Sequence, residues 1–91
     1  MRLPNLSTRE LRNFTLLAAS QSLKDAAESC ALSQPALSLQ LKHLEHKLGA
    51  KLVLRSSAHR AIELTPAGVE LLQAARHALQ VLQEAVDRIG P

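Results

Sequence analysis

Two helices in this chain are forced to meet across a turn of about three residues. Ser22 precedes Leu23-Lys24-Asp25, so its side-chain oxygen can accept from the backbone of a first turn, and Leu23, Ala26 and Ala27 then share one face of a short helix that ends near Cys30. Ser33 repeats the cap signal almost at once. Gln34 and Pro35 follow it in a first turn, where proline's missing N–H removes no hydrogen bond. This second member of the pair runs to Gly49, which supplies a left-handed stop. With small Ala26 and Ala27 permitting close approach, the spacing predicts a helix-turn-helix.

The flanking segments complete a small helical domain. Ser7-Thr8-Arg9-Glu10 places an acceptor three residues before a glutamate, and Leu11, Phe14, Leu17 and Ala18 recur at helical spacing, so a helix is expected from Thr8 to Ser20. Beyond Gly49, Lys51-Leu52-Val53-Leu54-Arg55 and Ala61-Ile62-Glu63-Leu64 are β-prone runs around the polar stretch Ser56-Ser57-Ala58-His59-Arg60, and they read as a hairpin. Thr65-Pro66 restarts a helix that can continue to Ile89, ahead of Gly90-Pro91. The fold class is therefore mainly α: three helices, a two-stranded hairpin wing and a long last helix, with residues 1–65 as one unit and 66–91 as another.

On the last helix Leu72, Ala75, Leu79, Leu82, Val86 and Ile89 follow a 3-4-3-4-3 spacing, a seam suited to a partner helix. Its first turn or two are expected to pack on their own domain. A helix of this length spans about 36 Å, which outruns so small a domain, so the distal half is assigned to pairing with a second copy. A chain of 91 residues has a marginal core on its own, which points the same way.

Composition narrows the function. Hydrophobic residues make up 46% of the chain, but Phe14 is the sole aromatic and there are only three glycines, a balance that favours helices. Residues 1–23 carry three arginines against one glutamate, residues 24–60 six basic groups against three acidic, and residues 61–91 two arginines against four acids. A basic head joined to an acidic stem suits a nucleic-acid-binding unit attached to a protein-facing one. No apolar run approaches the roughly 18 residues of a membrane span, and the N-terminus lacks a signal-peptide core, so the expected location is the cytoplasm, at the nucleoid. Cys30 is alone, which excludes an intrachain disulfide, and it reads as a small core residue with no basic cluster beside it.

Nothing suggests catalysis. There is no Gly-rich phosphate loop, paired carboxylate site or Ser-His-Asp arrangement, and no cofactor is expected. His43 and His46 lie three apart, but no further ligand is placed to complete a metal site with them. The informative surface is on the third helix. At about 100° per residue, Leu37, Leu41, Leu44 and Leu48 form its buried stripe, and the opposite side carries Pro35, Ser38, Leu39, Lys42, His43 and His46, with Gln34 and Gln40 flanking. In a major groove Gln34 and Ser38 can donate to and accept from base edges, and Lys42 suits a phosphate or a guanine. Leu39 gains nothing from a solvated face. It fits either a thymine methyl group or a protein contact.

These residues resemble the N-terminal domain of the LysR-type transcriptional regulators. The likeness runs through Leu11-Arg12-Asn13-Phe14, Ser22-Leu23-Lys24-Asp25-Ala26-Ala27-Glu28, Leu32-Ser33-Gln34-Pro35-Ala36-Leu37-Ser38, Leu44-Glu45-His46-Lys47-Leu48-Gly49 and Leu64-Thr65-Pro66-Ala67-Gly68. It implies a winged helix-turn-helix that reads interrupted palindromes in promoter DNA as a homodimer, paired through an antiparallel linker helix, with higher oligomers in the full-length protein. It carries major-groove roles onto Gln34, Pro35 and Ser38, and Ser33, Leu39 and Lys42 join them by their place at the start and on the outer face of the same helix. Arg55, Ser57, His59 and Arg60 are the wing residues for backbone or minor groove, with Arg60 favoured for the latter. A small-molecule effector would act only through a C-terminal domain beyond residue 91. Leu39 stands where the family usually has arginine, and the segment between Arg55 and Leu64 is longer than the common pattern and lacks its glycine. A competing reading uses the same fold for protein docking, with Leu39 and the seam as its adhesive surfaces.

Overall fold

The computed structural model describes residues 2–55 and 61–90. In chain order the elements are α1 (Thr8–Ala19), α2 (Leu23–Cys30), α3 (Gln34–Leu48), β1 (Val53–Arg55), β2 (Glu63–Leu64) and α4 (Pro66–Ile89). Each helix begins at the cap expected of it. Ser7, Ser22, Ser33 and Thr65 all adopt extended backbone and accept, through their side chains, from the N–H three residues on. At α1 the arrangement is a full capping box: Ser7 Oγ accepts from Glu10 N at 3.1 Å, while Ser7 N donates to Glu10 Oε1 at 2.9 Å.

The turn between α2 and α3 is closed by Ala31 in the left-handed region, φ 56° and ψ 41°, with its N–H on the carbonyls of Ala27 and Glu28. Leu32 N then reaches Ala27 O at 2.9 Å. This is a helix C-terminal motif built on a residue with a Cβ, a backbone state unfavourable by about 1 kcal/mol outside glycine. Gly49 plays the same part after α3 at φ 66°, there without that penalty.

Phe14 and Leu17 from α1, Leu23, Ala26 and Ala27 from α2, Leu37 and Leu44 from α3, and Leu52 and Val53 from the base of the hairpin form one core. Leu41, Leu48, Leu71 and Leu72 close around it. A polar bolt joins α1 to α3, with buried Asn13 donating through Nδ2 to Gln40 Oε1 at 2.8 Å. Cys30 packs half-buried at the edge of the core, and desolvation raises its thiol pKa, in keeping with an inert structural cysteine.

The hairpin is shorter than its β-prone runs. Among the described residues Val53 pairs with Leu64 and Arg55 with Glu63, and Leu54 is the extra residue of a bulge. Lys51 and Leu52 drop out of the ladder because their backbone groups are taken elsewhere. Thr65 Oγ1 donates to Lys51 O at 2.6 Å, Thr65 N donates to Leu52 O at 3.0 Å, and Leu52 N donates to Glu45 Oε2 at 2.7 Å.

The first half of α4 packs on its own domain. Ala75, read from the sequence as a pairing residue, is buried at 1% exposure inside its own chain and has no surface left for a second copy. Leu72 likewise packs against the core. The Ala75 assignment is corrected, whereas Leu72 stays half-exposed, in line with first turns that pack on their own domain. Farther along, Leu82, Val86 and Ile89 are 49%, 59% and 85% exposed.

Candidate nucleic-acid interface

The outward face of α3 is held in place from three directions. Inwardly, Leu37 and Leu44 anchor the helix in the core. At its C-terminal end Lys47 Nζ donates to Glu10 Oε2 at 2.7 Å and to the Asn5 carbonyl at 3.0 Å, tying α3 to the start of α1. The hydrogen bond from Lys47, with the bonds from Ser7, holds the Glu10 carboxyl below its ordinary pKa against an opposing effect of burial. On the other flank Glu45 Oε2 accepts from Leu52 N at 2.7 Å and Val53 N at 3.3 Å, so one carboxylate on α3 fixes the angle at which the hairpin leaves.

The six major-groove candidates fall together on this helix. Ser33, Pro35, Leu39 and Lys42 are exposed, and Gln34 and Ser38 are half-exposed. Ser33 Oγ is already engaged by Ala36 N at 3.2 Å, so its side chain serves the helix start first. Gln40, expected at the flank, is turned inward by Asn13.

Two shallow grooves border the helix. One, about 490 Å³, is lined by Ala36, Leu39, Gln40, His43, His46, Lys47 and Glu10. The other, about 150 Å³, lies between α3 and β1 and brings Ser38, Lys42 and Glu45 beside Lys51, Val53 and Leu54. Ala36, Lys51 and Leu54 were absent from the residues assigned by sequence. Ala36 has a helical position outside the buried stripe that gave it away. Lys51 carried only its charge, and nothing in the sequence marked Leu54 as a bulge.

Of the wing residues, Arg55 ends β1. The expectations for Ser57, His59 and Arg60 lie outside the described residues. The pairing residues that retain exposed or half-exposed surface are Leu72, Leu79, Leu82, Val86 and Ile89, and Leu79, Leu82 and Val86 line a groove against Thr8 and Arg12 of α1. Among the described residues there is no cluster of three or more metal-ligating side chains, and no helix is long and apolar enough to cross a membrane.

A three-helix core, a turn-linked helix pair with its second member facing outward, and a bulged hairpin after it define a winged helix-turn-helix domain, here extended by a 24-residue helix. A model of the bacterial regulatory helix-turn-helix proteins of the lysR family matches residues 8–69. The chain belongs to that family. It is 39% identical over 80 residues to the transcriptional regulator TfdS of Cupriavidus pinatubonensis, covering 88% of this chain and 26% of the relative. It is 38% identical over 88 residues to the dual regulator OxyR of Escherichia coli, covering 93% and 28%. The chain thus spans little more than a quarter of the length of these relatives.

Among solved structures it resembles the DNA-binding domain of CbnR in complex with DNA, with a TM-score of 0.81, 37% identity, and 91% and 93% of the two chains covered. It also resembles the BenM DNA-binding domain in complex with benA site 1 DNA, with a TM-score of 0.84, 33% identity and 92% coverage of each.

Proposed function

We propose that this domain binds double-stranded promoter DNA in a sequence-selective manner, as a homodimer on an interrupted palindrome. The observation that carries the reading is the outward face of α3. It is exposed from Ser33 to His46 and anchored at both flanks, on a domain closely similar to two that were solved with DNA. In this reading α3 enters a major groove. Gln34 and Ser38 meet base edges, while Ser33, Lys42 and Lys51 stand beside the phosphate backbone. Pro35 and Leu39 complete the face. Arg55, Ser57, His59 and Arg60 form the wing, with Arg60 assigned to the minor groove.

Residues 1–65 act as the DNA-holding unit and residues 66–91 as the pairing helix, through Leu72, Leu79, Leu82, Val86 and Ile89. The relatives' greater length supports reading this chain as the DNA-binding part of a longer regulator in the bacterial cytoplasm, whose effector-sensing domain lies beyond residue 91 and promotes higher oligomers. The domain is a binding module and carries out no catalysis.

Selection of bound duplexes from a random pool, followed by anisotropy titration at several salt concentrations, tests the proposal. Log affinity is expected to fall linearly with log salt, by a slope of about −0.9 per phosphate contact. Lys42→Ala should shallow that slope by about one contact while weakening all sequences alike. A pool without enrichment, or a salt-independent affinity, refutes it. Partner-protein binding that survives loss of Lys42 and Arg60 would favour docking instead.

A further inference from the structure

The exposed face of α3 is two strips of different chemistry. Gln34, Ser38 and Lys42 lie toward the hairpin and are polar. Pro35, Ala36 and Leu39 lie on the other side, all exposed, with Leu39 four residues from Pro35 and three from Ala36, so that it adjoins both on the helix surface. Leu39 is 54% exposed, near the centre of the outward face, and with Ala36 it lines the larger groove beside the helix. Of the polar neighbours in its turn, Gln40 is turned away by its bond from Asn13, Ser38 and Lys42 belong to the hairpin-side strip, and His43 lies four residues on along the same groove. Pro35, Ala36 and Leu39 themselves carry no side-chain hydrogen-bonding group, and water gains nothing by covering them.

Resting on the DNA-binding reading above, we propose that Pro35, Ala36 and Leu39 form an apolar reading strip that recognises the C5-methyl group of a pyrimidine in the major groove, with Leu39 as its principal contact. The occupant follows from continuity and charge. The strip is bordered by Lys42 on the same helix, and both sit on the face assigned to the duplex, so a base pair brought against Ser38 and Lys42 brings its neighbour against Leu39. The C5-methyl is the one apolar group that a duplex presents in that groove. Two sources carry it, thymine and 5-methylcytosine.

The test uses the duplex enriched by the wild-type chain. Each thymine of a half-site is replaced singly by uracil, which removes the methyl and leaves every hydrogen-bonding group in place. At the position under residue 39, affinity should fall about fourfold, the effect of exposing one buried methyl-sized group. Leu39→Ala should bring the thymine-to-uracil ratio there close to one and leave the ratios at other positions unchanged, whereas Leu39→Met should retain the preference. Leu39 is exposed, so neither substitution disturbs the core, and circular dichroism verifies that both variants fold.

At the same position a cytosine and a 5-methylcytosine duplex are compared. Tighter binding of the methylated base assigns the contact to the methyl itself, from either source. Equal binding of the two cytosine duplexes, a uracil scan with no loss at any position, or an unchanged ratio in Leu39→Ala each overturns the proposal. A pool that yields no duplex refutes the DNA-binding reading, and this inference with it.

Discussion

At residue scale the tightest constraint is at Gly68, in the first turn of α4. A Cβ there would collide with the Leu52 carbonyl oxygen and press on the Leu64 side chain. The helix can start this close to β1 only because position 68 lacks a side chain, and that closeness lets Thr65 bind the backbone of residues 51 and 52. Gly68→Ala is expected to lower stability by about 2 kcal/mol, as overpacking against backbone does, measured by urea denaturation. Glu10 and Lys47 set a second local condition. Glu10 has its pKa held below the ordinary 4.5, so the stabilisation from this pair is present above about that pH and is lost as pH falls through the lowered value. Lys47→Met should therefore flatten the decline of melting temperature between about pH 5 and pH 3 relative to the wild type. The contribution of one partly exposed pair is at most about 1 kcal/mol.

At the scale of elements, helix starts were legible in the sequence and strand ends were not. A helix start depends on a side chain bonding its own backbone three residues away, so Ser7, Ser22, Ser33 and Thr65 each announce one locally. The start of β1 depends on who takes the backbone of residues 51 and 52, and the takers, Glu45 and Thr65, lie seven and fourteen positions away from their partners. Ala31 was equally silent, because its positive φ is imposed by the packing of α2 on α3 rather than by its own preference. Glu45 deserves the role of hinge pin between α3 and the wing. Replacing it by alanine leaves two amide N–H groups short of an acceptor, a loss of about 1–2 kcal/mol. The expected outcome is faster amide hydrogen exchange at Leu52 and Val53, with α3 protection little changed.

At the scale of the whole molecule, the domain leaves an apolar stripe uncovered along the distal half of α4. Leu82, Val86 and Ile89 continue the stripe of α4 with about half or more of each side chain exposed, which an isolated chain in water does not stabilise. Leu82→Asp places a charge on that stripe, about half exposed, without entering the core. Sedimentation is expected to show monomers for this variant at concentrations where the wild type is dimeric. A dimer of unchanged stability would place the pairing surface elsewhere.

The sequence by itself determined where the helices begin, which faces of α1, α2 and α3 turn inward, and that the helix after the short turn presents Gln34 to His46 outward. Those properties follow from periodicity and capping, which act over three or four residues. Tertiary structure alone decided which half of the α4 stripe is spent within the chain, which residues leave the hairpin ladder, and which of the flanking glutamines stays available. Each of these is a competition between groups distant in sequence for one surface or one hydrogen bond. Ala75 is buried within its own chain and Gln40 is bonded by Asn13, and no local pattern records either outcome.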